Sequence, residues 1–157
     1  MEPTIPSPTD VGLADATILA TGIRAGEGPV WLPDGDLLVC EMAADRIARV
    51  SPNGTRTTVA QLDGTPTGAA IGPDGALYVC NRGKTVWRDM GPLVLPDHRA
   101  VDLHGGGKLQ RVDLATGAVT TLYTECDGRA LNGPNDIVFD QNGGMYFTDI
   151  GHMRSRD

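Results

Sequence analysis

The sequence predicts an all-β fold built from repeated hairpins, and three observations predict it. Twenty-one glycines and eleven prolines fall in a chain of 157 residues. They cluster in Pro-Asp-Gly and Asn-Gly turns between short runs of Val, Ile, Leu, Tyr and Phe, the punctuation of many tight hairpins. No long stretch places apolar residues at the helical period. Above all, the chain resembles itself, and self-similarity at a fixed period is the mark of a repeat architecture.

Taken in order, residues 1–26 form an N-terminal segment. The first twelve carry two acids, three prolines and no Lys or Arg, the wrong charge for a signal peptide. Residues 27–41 read E-G-P-V-W-L-P-D-G-D-L-L-V-C-E, and residues 67–81 read T-G-A-A-I-G-P-D-G-A-L-Y-V-C-N, without a gap at a spacing of 40. A third copy, residues 135–149, reads N-D-I-V-F-D-Q-N-G-G-M-Y-F-T-D. Each predicts a β-hairpin turning at Asp34-Gly35, Asp74-Gly75 or Asn142-Gly143, residue types that tolerate positive φ. The flanking runs are almost continuously apolar, so the strands are expected to be covered on both faces. More polar hairpins follow at 46–59 and 108–122, turning at Asn53-Gly54 and Thr116-Gly117. Four strands in about 40 residues is the size of one β-propeller blade.

The expected organisation is therefore blade 1 at 27–66, blade 2 at 67–125 with an inserted loop at 83–107, and the start of blade 3 at 126–157. Propellers close with about four to eight blades. Two blades and an inner hairpin form only an arc, so the chain is expected to be a fragment or a partner in a closed assembly. Its uncovered blade faces are expected to self-associate.

Composition removes several function classes. A net charge of −7 argues against nucleic acid, whose phosphates require clustered Lys and Arg. No apolar run approaches the roughly 20 residues of a membrane-spanning helix. Cys40, Cys80 and Cys126 lack metal-ligand spacing and read as free thiols of a cytoplasmic protein. There is no G-x-S-x-G elbow, C-x-x-C pair or phosphate-binding P-loop, and Gly105-Gly106-Gly107 reads as loop.

Alignment of the copies puts Glu27, Thr67 and Asn135 at one repeat position, just before the innermost strand, where a propeller surrounds its central channel. A carboxylate and an amide carbonyl are hard oxygen donors suited to Ca²⁺, Mg²⁺ or Mn²⁺. The alternative for the same pair is a salt bridge at Glu27 and a turn hydrogen bond at Asn135.

The E-G-P-V-W of residues 27–31, and L-N-G-P-N-D-I-V-F-D at 131–140 followed by G-M-Y-F-T-D, resemble the SMP-30/gluconolactonase family over residues 27–157. The resemblance implies the N-terminal half of a six-bladed β-propeller that hydrolyses lactones or related esters with a divalent cation. Ca²⁺ is the first expectation, with Zn²⁺, Mn²⁺ or Mg²⁺ as alternatives. It implies that Glu27 binds the metal and that Asn135 is a ligand or a contact to substrate. A further Asn and an Asp, the expected general base, would lie beyond Asp157. Animal members carry a sugar-holding Arg in the place of Gly133, so this chain departs from them in how it would hold a sugar acid.

Other candidates are read more plainly. Asn132 is a substrate contact or a turn residue, and Asp136 orients Asn135 from behind or caps its turn. His152, His98 and His104 read as exposed residues rather than pocket or lid groups, and Trp31 and Trp87 as packing residues. Two further functional readings stand beside the hydrolase: a non-catalytic propeller that binds a ligand or protein, and a truncated, inactive remnant.

Overall fold

The computed structural model describes residues 16–91, 93–97 and 106–152. Among these it is all-β, with no α-helix and only one short 3₁₀ turn at Met42–Ala44. Strands β1 (Gly26–Trp31), β2 (Leu37–Glu41), β3 (Arg46–Val50) and β4 (Arg56–Gln61) form an antiparallel four-stranded sheet in chain order. Strands β5 (Pro66–Ile71), β6 (Leu77–Asn81), β9 (Lys108–Val112) and β10 (Val119–Tyr123) form a second sheet of the same plan. Between β6 and β9 lies a separate hairpin, β7 (Trp87–Asp89) with β8 (Val94–Pro96). Part of the segment read as a plain inserted loop thus has strand structure of its own. A small hairpin, β11 (Glu125–Cys126) with β12 (Arg129–Ala130), precedes the third repeat hairpin, β13 (Pro134–Phe139) with β14 (Met145–Asp149).

The three repeat hairpins turn identically. Leu32 N–H donates to the Asp36 carbonyl (2.8 Å) and Gly35 N–H to the Leu32 carbonyl (3.0 Å); Gly72/Ala76/Gly75 and Asp140/Gly144/Gly143 repeat the pattern. Only the glycine takes positive φ, at Gly35, Gly75 and Gly143. This is the three-residue hairpin loop that ends on a left-handed glycine. The preceding Asp34 keeps negative φ, and its carboxylate accepts the Asp36 N–H (3.1 Å), as Asp74 accepts from Ala76 (3.2 Å).

Two apolar seams hold the sheets face to face. Leu32, Leu38, Cys40, Ile47, Ala60 and Leu62 of the first sheet pack with Leu77, Val79 and Val112 of the second. On the far side of the second sheet, Cys80 and Leu109 meet Leu131 and Ile137, joined by Tyr78, Met145 and Phe147. The middle strand β6 is covered on both faces, as its apolar run predicts. Strands β13 and β14 are not: Val138 and Tyr146 stay about 60% exposed, because no described element packs on that side. Trp31, expected to be a packing residue, is 67% exposed for the same reason. Among the described residues no helix is long and apolar enough to cross a membrane.

Candidate functional site

The three repeat hairpins share one irregularity. Between Glu27 and Val30, between Pro66 and Ala69, and between Pro134 and Ile137, the inner strand carries one more residue than its partner. A bulge of this kind bends the strand and re-aims side chains. It falls at the repeat position of Glu27, Thr67 and Asn135. The inner strands β1, β5 and β13 come together through this segment, and the glycines allow it. A Cβ on Gly28 would lie 2.4 Å from the Thr67 carbonyl oxygen, and one on Gly68 2.6 Å from that of Asn135.

Glu27 and Asn135, more than a hundred positions apart in sequence, consequently line one cavity of about 300 Å³, with Gly28, Pro29, Gly68, Ala69 and Asp136. Glu27 is accessible through the cavity, yet enough protein surrounds its carboxyl that desolvation raises its pKa. Arg82 opposes that shift and the negative charge of Asp136 adds to it. Thr67 does not line the cavity. It is buried, with its hydroxyl 3.1 Å from the Cys80 carbonyl oxygen and 3.0 Å from that of Pro134. The middle copy thus spends this position on tying β5 to β13, the strand that carries Asn135.

The neighbouring candidates are placed as follows. Asp136 accepts the N–H of Ile137 (2.9 Å), and its own N–H donates to the Thr148 hydroxyl (3.1 Å), so it braces the bulge from within. Asn132 donates its backbone N–H to Asp149 (2.7 Å) and is not among the residues lining the cavity. Gly133 has φ +108°, and a Cβ there would sit 2.8 Å from the Gly151 carbonyl oxygen. The loop is shaped for glycine, and an Arg at this place would be strained. His152 is half-buried rather than exposed, and His98 and His104 lie outside the described residues. Among the described residues no group of three or more His, Cys, Asp or Glu side chains converges. A roomier concavity of about 610 Å³ lies by β11–β12, lined by Cys126, Asp127, Arg129 and Asp149 among others, and none of the three repeat-position residues lines it.

Arg82 is the residue that reading the sequence missed. It follows Asn81 at the end of β6, and its backbone N–H donates to the Thr65 carbonyl (2.9 Å), two residues before Thr67. It therefore stands at the end of the second sheet that corresponds to Glu27 in the first. Burial lowers its pKa, and the charge of Glu27 partly restores it. A signal was present: the equivalent positions in the other copies are Met42 and Ile150, so a cation here breaks the apolar rule of the repeat.

Comparison with known proteins fits this geometry. A family model described as the SMP-30/gluconolactonase/LRE-like region matches residues 25–157. A gluconolactonase of Zymomonas mobilis subsp. mobilis is 25% identical over 146 residues, which cover 84% of this chain and 35% of that protein. The structure of a gluconolactonase from Xanthomonas campestris superposes with a TM-score of 0.60 at 23% identity, over 81% of this chain and 36% of that one. A catalytically inactive virginiamycin B lyase from Staphylococcus aureus, solved with quinupristin, gives 0.54 at 17% identity, over 79% and 34%. These structural likenesses show the fold alone, and a lyase among them shows that the fold serves more than one chemistry. The chain spans about a third of the length of the relatives it matches.

Proposed function

The chain belongs to the SMP-30/gluconolactonase/LRE-like family, and on that premise we propose that it is part of a six-bladed β-propeller hydrolase that opens lactones or related esters with a divalent cation. One observation carries the reading: the bulges of the first and third repeat hairpins bring Glu27 and Asn135 to the same cavity. The uncovered apolar side of β13–β14 supports the propeller, because it is the face on which a next blade would pack.

The residues present fit a hard cation. Glu27 offers a carboxylate to which no described group donates a hydrogen bond, Asn135 offers a neutral carbonyl, and Asp136 adds negative charge nearby. Oxygen donors without His or Cys suit Ca²⁺ best, and Mg²⁺ or Mn²⁺ before Zn²⁺. When bound, such an ion polarises a carbonyl and lowers the pKa of water. Glu27 holds the charge of the site in place, Asn135 fixes the second edge, and Asn132 lies on the loop just before β13, within reach of a larger substrate. In the overall reaction the oxygen of water bonds to the carbonyl carbon, the ring C–O bond breaks, and a proton from that water passes to the leaving alkoxide oxygen, which becomes the product hydroxyl.

Calorimetric titration with Ca²⁺, Mn²⁺ and Zn²⁺, paired with a lactone hydrolysis assay, tests the proposal. Glu27→Gln keeps shape and removes the charge, so it is expected to abolish most metal binding and turnover. Asn135→Ala is expected to weaken both. Unchanged affinity and turnover in Glu27→Gln would remove Glu27 from the site, and the hydrolase reading with it.

A further inference from the structure

Arg82 stands apart from the other arginines. Arg24, Arg46, Arg49, Arg56, Arg88 and Arg111 each pair with a carboxylate. Arg129 has no such pair but is exposed to solvent. Arg82 alone, among the described arginines, is partly buried without an acidic partner in contact. Taking a guanidinium out of water without a counter-charge is costly. Its hydrogen bonding is also unspent: Nε is shielded from solvent with no acceptor, and Nη2 reaches only the Gly151 carbonyl oxygen, at 3.5 Å. Two more donors on the same stretch, Thr85 Oγ1 and Trp87 Nε1, are likewise buried without a partner.

A shielded guanidinium Nε–H with no acceptor, on a group carrying one full positive charge, suits an anionic oxygen group. Its place in the fold says where that group would come from. Arg82 sits at the end of β6 that faces the repeat position, and its Nη2 bridges towards the loop after β14. It is not among the residues lining the cavity of Glu27 and Asn135, but its charge and that of Glu27 act on each other. Glu27 acts on it only through its charge, since no ion pair joins the two among the described residues. Planar guanidinium groups pair bidentately with carboxylates and phosphates.

We propose that Arg82 is a substrate-anchoring residue, and that the lactones this protein takes carry a free carboxylate away from the ring carbonyl. The proposal rests on the hydrolase reading for the word lactone, but the anion site itself does not.

The test compares γ-butyrolactone with 5-oxotetrahydrofuran-2-carboxylate, the same ring without and with the carboxylate, in the presence of calcium. The wild-type protein is expected to favour the carboxylated ring in kcat/KM by at least about 10-fold, the low end of what a charged hydrogen bond supplies. Arg82→Met, which installs the residue type of the first repeat, is expected to erase that preference mainly through KM. Arg82→Lys should keep part of the preference, because charge survives and the planar fork does not. No preference in the wild type, or a preference that survives Arg82→Met, overturns the proposal and leaves the hydrolase reading standing. If neither ring is opened, calorimetry with the ring-opened acids 2-hydroxyglutarate and 4-hydroxybutyrate decides. Arg82-dependent binding of the dicarboxylate keeps the anion site and removes the hydrolase, and equal or absent binding removes both. The wild-type comparison needs no variant, so a variant that fails to fold does not spare the proposal.

Discussion

Replacing Thr67 by Val tests whether the middle repeat holds the site together. Thr67 is 1% exposed, and its single hydroxyl proton is shared between the carbonyl oxygens of Cys80 and Pro134, at 3.1 and 3.0 Å. Val nearly preserves the volume and removes the donor. One proton means one hydrogen bond lost, worth about 1 kcal/mol net, and stranding a buried acceptor can raise the loss to about 3 kcal/mol. The added methyl returns up to about 0.8 kcal/mol of burial. The expected net cost is about 1–2 kcal/mol, a fall in Tm of about 2–8 °C for a chain of this size. Scanning calorimetry measures it, and Thr67→Ser, which keeps the hydroxyl, supplies the control. Because Pro134 precedes Asn135, the proposed cation site predicts that calcium affinity falls as well. A Val variant as stable as wild type, with calcium binding unchanged, would refute the view that this hydroxyl seats β13.

Two further outcomes follow from electrostatics and exposure. Glu41 is fully buried; burial alone would raise its carboxyl, but hydrogen bonds from Arg46 and the Arg24 N–H, with the charges of Arg46 and Arg56, outweigh that and hold it below 4.5. A depressed folded-state pKa gives stability that is present above about 4.5 and lost as pH falls through the folded value. Glu41→Gln should therefore lower Tm at pH 7 and shrink the gap to wild type in acid, read from melts between pH 3 and 7; a constant gap would contradict it. Burial pushes the Cys80 thiol up to about 12, aided by the charges of Asp136 and Asp149, and the Cys40 thiol higher still, while Cys126 is exposed. Iodoacetamide at pH 7.5 should label Cys126 in the folded protein and spare the other two until it is denatured, as mass spectrometry of the peptides would show.

What the sequence made legible divides along a physical line. The turns at Gly35, Gly75 and Gly143 were readable because an Asp-Gly or Asn-Gly pair acts locally, through the φ its glycine allows; the side-chain acceptor is Asp34 or Asp74 in the first two turns and Asp140 in the third. The convergence of Glu27 and Asn135 was readable because the repeat encodes equivalence, and equivalent positions in stacked hairpins become neighbours. The bulges were not, since an extra residue on one strand is defined only against its partner's register. Trp31 misled because an apolar residue says it prefers cover, not that cover exists on its side of the sheet. β7 and β8 hid behind Gly91-Pro92, which interrupts the alternation expected of a strand, and β11 and β12 are too short to show any period. Arg82 needed the partner census of the whole fold before its isolation meant anything.

The bulge that recurs in the three hairpins also has a history to tell. A duplicated hairpin inherits its kink whether or not the copy has a use for the side chain displayed there. Each duplication therefore creates a vacancy in a fixed frame, open to whatever residue mutation supplies. Here the three copies carry an acid, an amide, and a hydroxyl turned inward as a fastener. A new activity in such a lineage needs no new backbone, only a change of tenant at an inherited position. Arg82, one step past the end of another inherited strand, is the same kind of change at a second position.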